Sequence, residues 1–84
     1  EEVVKRISIF VVEDSILMQK VITDIFSHDP DFEVVGSAYK GEEALENIPK
    51  LKPDIVTLDV NLPDVYGLTV LKEIMSKFPT RVVM

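Results

Sequence analysis

The chain contains no cysteine, one histidine and three glycines among its 84 residues. Without cysteine there is no disulfide framework, no thiolate metal site and no thiol nucleophile. A single histidine, His28, leaves no partner for an imidazole metal site or a His-based catalytic pair. Its position in the last turn of a predicted helix suits a cation at the helix C-terminus. The glycines, Gly36, Gly41 and Gly67, do not compose a phosphate-binding loop. Positive charge is also short, with 9 Lys and Arg against 15 Asp and Glu for a net charge of -6. The cations are scattered, whereas nucleic-acid binding calls for a clustered basic face. No apolar run approaches the length of a membrane span or a signal peptide, so the expected location is cytoplasmic. What the chain does have is 46% hydrophobic residues, enough for the core of one small domain over residues 1–84.

Two periodicities alternate along it. Ile7–Val12 is a continuous apolar run, the pattern of a strand buried on both faces. Ser15 is placed to cap the next segment, where Ile16, Leu17, Val21, Ile22, Ile25 and Phe26 fall at helical spacing through about His28. Asp29-Pro30-Asp31 makes a turn. Glu33–Ala38 predicts a second, less hydrophobic strand at an edge. Gly41–Ile48 predicts a short helix stopped by Pro49. Pro53 and Asp54 open a third strand, Ile55–Leu58. Gly67 lets the backbone turn into a third helix, with Val70, Leu71, Ile74 and Met75 on its apolar face and its end near Phe78-Pro79. Arg81–Met84 begins a fourth strand. Strands alternating with helices predict a parallel α/β sheet with right-handed crossovers.

Carboxylates stand where the first and third strands end. Val11-Val12 leads into Glu13-Asp14, and Thr57-Leu58 leads into Asp59, followed by Val60-Asn61-Leu62-Pro63. In a parallel sheet the carboxyl ends of strands lie along one edge, where ligands bind. If the two strands are neighbours, Glu13, Asp14 and Asp59 converge, and an oxygen-only cluster of that kind suits a hard cation such as Mg²⁺. Asp59 then has the chemistry of a nucleophile for a phosphoryl group, with the cation offsetting the charge on the transferred oxygens. The Asn61 backbone carbonyl is a further candidate ligand. Each residue taken singly has a plainer reading: Asp14 as a helix N-cap, Glu13 as a solvated strand end, Asp59 as an Asx-turn before Pro63. The coincidence of all three at equivalent strand ends favours the metal site. Ser15 and Thr57 lack a nearby base and read as capping or packing residues.

Those motifs are similar to the receiver domain of two-component response regulators. The resemblance rests on Val11-Val12-Glu13-Asp14-Ser15, on Leu58-Asp59-Val60-Asn61-Leu62-Pro63 with Gly67 following, and on Lys52-Pro53-Asp54 and Pro79-Thr80-Arg81. Thr57-Leu58-Asp59 and Pro79–Met84 resemble the receivers of chemotaxis methylesterase regulators. The resemblance implies a flavodoxin-like doubly wound sheet, incomplete as β1-α1-β2-α2-β3-α3-β4. It implies Asp59 as phosphoacceptor, Mg²⁺ as cofactor held by Glu13, Asp14, Asp59 and the Asn61 carbonyl, and a sensor histidine kinase as partner. Glu13 stands where the family often has Asp. The family's Ser/Thr after the fourth strand and Lys at the end of the fifth would lie beyond Met84. The expectation is therefore a C-terminally incomplete receiver whose output domain or a second chain completes the fold, or which becomes oligomeric or strand-swapped through its exposed edge. Competing readings are an inactive half-domain assembling through that edge, an Asp-nucleophile phosphohydrolase, for which Asn61 supplies no general acid, and a flavin or nucleotide binder, whose phosphate Glu13-Asp14 would repel.

Overall fold

The computed structural model describes residues 5–84. Its elements are β1 (Ile7–Val12), α1 (Ile16–Ser27), β2 (Phe32–Ala38), α2 (Gly41–Leu51), β3 (Ile55–Leu58), α3 (Gly67–Lys77) and β4 (Arg81–Val83). The strands form one parallel sheet in the order β2-β1-β3-β4. This is the flavodoxin-like doubly wound arrangement, and the strand order reverses between β1 and β3. β2 lies at an edge, as its weaker hydrophobicity predicts. β1 lies inside, and Ile9, Phe10, Val11 and Val12 are each at most 1% exposed. Only a run apolar on both faces can occupy that position.

The larger core lies on one face, where Phe10 and Val12 of β1 and Val56 and Leu58 of β3 meet Ala44 and Ile48 of α2 and Val70 and Ile74 of α3. Each large side chain fully buried there contributes about 1.5–3 kcal/mol. A register shift between Ile9 and Phe10 skips Val35, so that Gly36 stands beside Phe10. A Cβ on Gly36 would lie 2.9 Å from the Phe10 ring. The bulge therefore lets the largest core residue lie flat under the sheet edge.

Two helices depart from their sequence patterns. In α1 the inward stripe is Gln19, Ile22, Thr23 and Phe26, at i, i+3, i+4 and i+7. Ile16, Leu17 and Ile25 are 74%, 70% and 64% exposed. Apolar residues cover too much of this helix's circumference for spacing to select one face. Pro49 does not stop α2, which continues to Leu51. Pro49 only removes the amide that would have bonded to Leu45. Ile48, 1% exposed, holds the preceding turn in the core against the local preference of a residue before proline. Lys52 then closes the helix in the left-handed region at φ 49°, its amide donating to the Ile48 carbonyl at 2.8 Å. Pro53 follows. Among the described residues, no helix is long and apolar enough to cross a membrane.

Candidate metal centre

Glu13 and Asp14 follow the last residue of β1, and Asp59 follows the last residue of β3. The Glu13 amide donates to Ala38 O at 3.1 Å and the Asp59 amide to Val12 O at 3.0 Å, so the ladder carries both residues just past the strands. They therefore sit at the point where the strand order reverses. One carboxylate oxygen from each of Glu13, Asp14 and Asp59 lies within 4.8 Å of the others. All three acids picked out in the sequence are thus brought together. The Asn61 amide donates to Asp59 Oδ1 at 3.0 Å, which puts its backbone beside the cluster.

The plainer readings separate cleanly. Ser15, not Asp14, is the N-cap of α1, its Oγ accepting from the Met18 amide at 3.2 Å. Asp14 is exposed and free to serve the cluster. Asp59 does form an Asx-turn, with Asn61, and joins the cluster as well. That turn fixes the rotation of its carboxylate. Glu13 is half-buried, and its Oε2 accepts from the Ser15 amide at 3.1 Å. His28 is the C-cap of α1, its Nδ1 2.6 Å from Asp24 O, and takes no part in the site. The Thr57 hydroxyl is buried with no partner among the described residues. It lines a cleft of about 360 Å³ with Val12, Glu13, Ile22, Asp59, Val60 and Val83.

The charges in the cluster work against one another. Burial pushes the Glu13 carboxyl up, and the neighbouring carboxyls of Asp59 and Asp14 push it further, against the Ser15 amide. Burial also acts to raise Asp59, but the Asn61 amide and hydrogen bonding with Glu13 and Asp14 outweigh it and hold Asp59 low. The opposed directions are what coupled carboxyls at one site show: the group resists gathering three charges. Among the described residues the ion pairs are Glu46–Lys50 and Glu73–Lys77, neither of which touches the cluster. An all-oxygen donor set with no ion-paired lysine or arginine fits a hard divalent cation.

Three further residues shape the site. Gln19, 6% exposed, donates from Nε2 to Ala38 O at 3.0 Å and Glu13 O at 3.3 Å. It pins α1 to the ends of β1 and β2. Its signal was a polar residue on the i, i+3, i+4, i+7 stripe that the apolar count passed over. Asp64 accepts from the first two amides of α2, and no local pattern announces a partner more than twenty residues away. Gly67 does not supply a left-handed turn, because no glycine has positive φ. A Cβ there would meet the Asp59 carbonyl oxygen at 2.3 Å, so glycine is required by close approach.

A doubly wound sheet with carboxylates crowded at its switch point defines an acidic-site α/β domain, one in which a nucleotide phosphate would meet negative charge. The chain belongs to the response regulator receiver domain family, whose model matches residues 9–84. It is 48% identical over 80 residues to a protein-glutamate methylesterase/protein-glutamine glutaminase of Pyrococcus abyssi, covering 95% of this chain and 22% of that protein. It is 50% identical over 80 residues to the one from Geobacillus kaustophilus, covering 95% of this chain and 23% of the relative. The response regulator domain of Thermotoga maritima CheB superposes with a TM-score of 0.92 at 46% identity, over 95% of this chain and 60% of that one. A chain of the CheX-CheY-BeF3-Mg+2 complex from Borrelia burgdorferi matches with a TM-score of 0.84 at 35% identity, over 92% of this chain and 59% of that one. The similarity to receivers of chemotaxis methylesterases is borne out, and the chain spans about a fifth of the length of those curated relatives.

Proposed function

We propose that this receiver domain accepts a phosphoryl group on Asp59 from a phosphohistidine of a sensor histidine kinase, with Mg²⁺ held by Asp14, Asp59, the Asn61 carbonyl and Glu13. The observation that carries this reading is the meeting of three carboxylates within 4.8 Å at the switch point of a receiver fold. A bound Mg²⁺ would offset the negative charge that the phosphoryl oxygens bring into an acidic pocket. Asp59 contributes the nucleophile: one carboxylate oxygen bonds to phosphorus as the P–N bond to histidine breaks and the imidazole keeps the electron pair. The Asn61 amide holds the carboxylate in a fixed rotation for that attack. A low-lying Asp59 carboxyl keeps the nucleophile ionised at neutral pH. The Mg²⁺ and BeF3 named with the Borrelia complex support the same ligand chemistry here. Because the curated relatives are methylesterases, the proposed output of the switch is a methylesterase domain in a cytoplasmic chemotaxis relay.

The test is intact-mass analysis after incubation with a phosphorylated kinase domain or acetyl phosphate. One phosphoryl group is expected in wild type with Mg²⁺, and none with chelator or in Asp59→Asn. Equal labelling of Asp59→Asn would move the acceptor elsewhere, and labelling indifferent to chelator would remove the metal from the reading.

A further inference from the structure

We infer that Asp64 positions the acceptor loop: by capping α2 from a distance, it holds residues 59–66 in the arrangement that presents Asp59 and Asn61 to the cation. This inference rests on the reading of Asp59 as acceptor. Asp64 lies outside the carboxylate cluster and acts through the loop.

The first amides of a helix have no partner within it, and the N-cap residue of α2, Lys40, makes no side-chain capping bond. Asp64 fills the gap with both oxygens: Oδ1 accepts from the Gly41 amide at 2.8 Å, and Oδ2 from the Glu42 amide at 2.9 Å. A carboxylate is also the favoured charge at a helix N-terminus. Seen from the loop, the same bonds are an anchor. Gly67 closes the base of the loop by donating to Val60 O at 2.8 Å, and Asn61 bridges antiparallel to Tyr66. Between them, Leu62 and Val65 pack against the core, and Asp64 ties the same turn to α2.

Contact reinforces the tie. A Cβ on Gly41 would fall 2.3 Å from Val65 Cγ2 and 2.8 Å from Val70 Cγ2. The loop therefore rests directly on the first residue of α2. Two segments that cap and cover each other are coupled reciprocally. Order in α2's first turn steadies Asn61, and a cation that steadies Asn61 protects the Gly41 and Glu42 amides.

The experiment is a Mg²⁺ titration of ¹⁵N-labelled protein by amide NMR, with hydrogen exchange measured on the same samples. It compares wild type, Asp64→Ala, Asp64→Asn and Ile74→Val, the last a core change that lowers stability away from the loop. In Asp64→Ala we expect Mg²⁺ affinity to fall about tenfold, the range of residues that orient ligands from outside the coordination sphere. Exchange at Gly41, Glu42 and Asn61 should accelerate. Asp64→Asn, which keeps an acceptor oxygen for one of the two amides, should lose less of both than Asp64→Ala. Ile74→Val should leave affinity unchanged. Unaltered affinity in Asp64→Ala, or the same loss in Ile74→Val, would reduce Asp64 to a structural cap and overturn the inference. If wild type shows no Mg²⁺-dependent shifts at all, the metal drops out of the acceptor reading separately. Asn61 exchange then decides the anchor: faster in Asp64→Ala upholds it, unchanged defeats it.

Discussion

Gly67 begins α3 and is also the residue on which that helix leans against the backbone of Asp59 and Val60. Replacing it with alanine sets two effects against each other. Alanine is the better helix former by at most about 1 kcal/mol, and less at a first position. Its methyl, however, would sit 2.3 Å from the Asp59 carbonyl oxygen and 2.8 Å from Val60 Cα. Both are backbone atoms, which cannot turn aside as a side-chain tip can. Overpacking of this kind costs about 1–3 kcal/mol, so the clash wins. Gly67→Ala is expected to lower the urea midpoint and to shift the Asp59 and Val60 amides most. Stability equal to wild type would show that the helix moves back freely. The sequence marks Gly67 as special without revealing why, because a close approach depends on a residue eight positions earlier. The acids were legible for the opposite reason: each follows directly on a recognisable strand.

At the scale of elements, β1 and β3 are joined at both ends. The carboxyl end carries the acidic cluster. At the amino end, Asp54 Oδ2 accepts from the Ser8 amide at 2.8 Å and the Ser8 hydroxyl at 3.0 Å, while the Asp54 amide donates to Ser8 O at 3.0 Å. These bonds, the Ser8 amide foremost, hold the Asp54 carboxyl below its ordinary 3.8. Folding thus favours the ionised form, so this stabilisation is complete above pH 3.8 and is lost as pH falls through the lower folded value. A carboxyl-detected NMR titration should place the Asp54 midpoint below 3.8. Ser8→Ala should return it part of the way, since the amide remains. A midpoint indifferent to that change would deny the hydroxyl its role. Strand patterns gave these elements away because β1 and β3 are short, apolar and bounded by charge or proline. Helix faces were harder. In α1 the residues that turn inward include Thr23 and Gln19, and Gln19 is held there by hydrogen bonds to Glu13 O and Ala38 O, not by hydrophobicity. In α2 the core contact of Ile48 overrides a local stop signal. The anchor from Asp64 to Gly41 and Glu42 is a long-range bond, absent from any local pattern.

Over the whole molecule, the site is a place where folding gathers negative charge in a chain already at -6. Unit charges 4.8 Å apart repel by about 1 kcal/mol per pair even with water-like screening. Without a divalent cation, the native state bears this repulsion and the unfolded chain does not. Glu13→Gln removes the charge whose carboxyl burial and its neighbours push up and keeps an oxygen for the Ser15 amide. It relieves two of the three pairs, so in chelator the variant should be more stable than wild type by about 1–2 kcal/mol. For a domain of this size each kcal/mol is about 4–8 °C in melting temperature. On the proposed reading, added Mg²⁺ is expected to stabilise the folded wild type by about 2.7 kcal/mol at a hundred times its dissociation constant. The variant, lacking one ligand charge, gains less. The two melting curves are therefore expected to exchange order as Mg²⁺ rises, a result that neither repulsion nor metal binding alone would produce. Calorimetry at neutral pH over a Mg²⁺ series reads it directly. A variant that melts below wild type in chelator would mean that Glu13 stabilises the fold chiefly through the bond its carboxylate accepts from the Ser15 amide, with the carboxylate cluster carrying little strain.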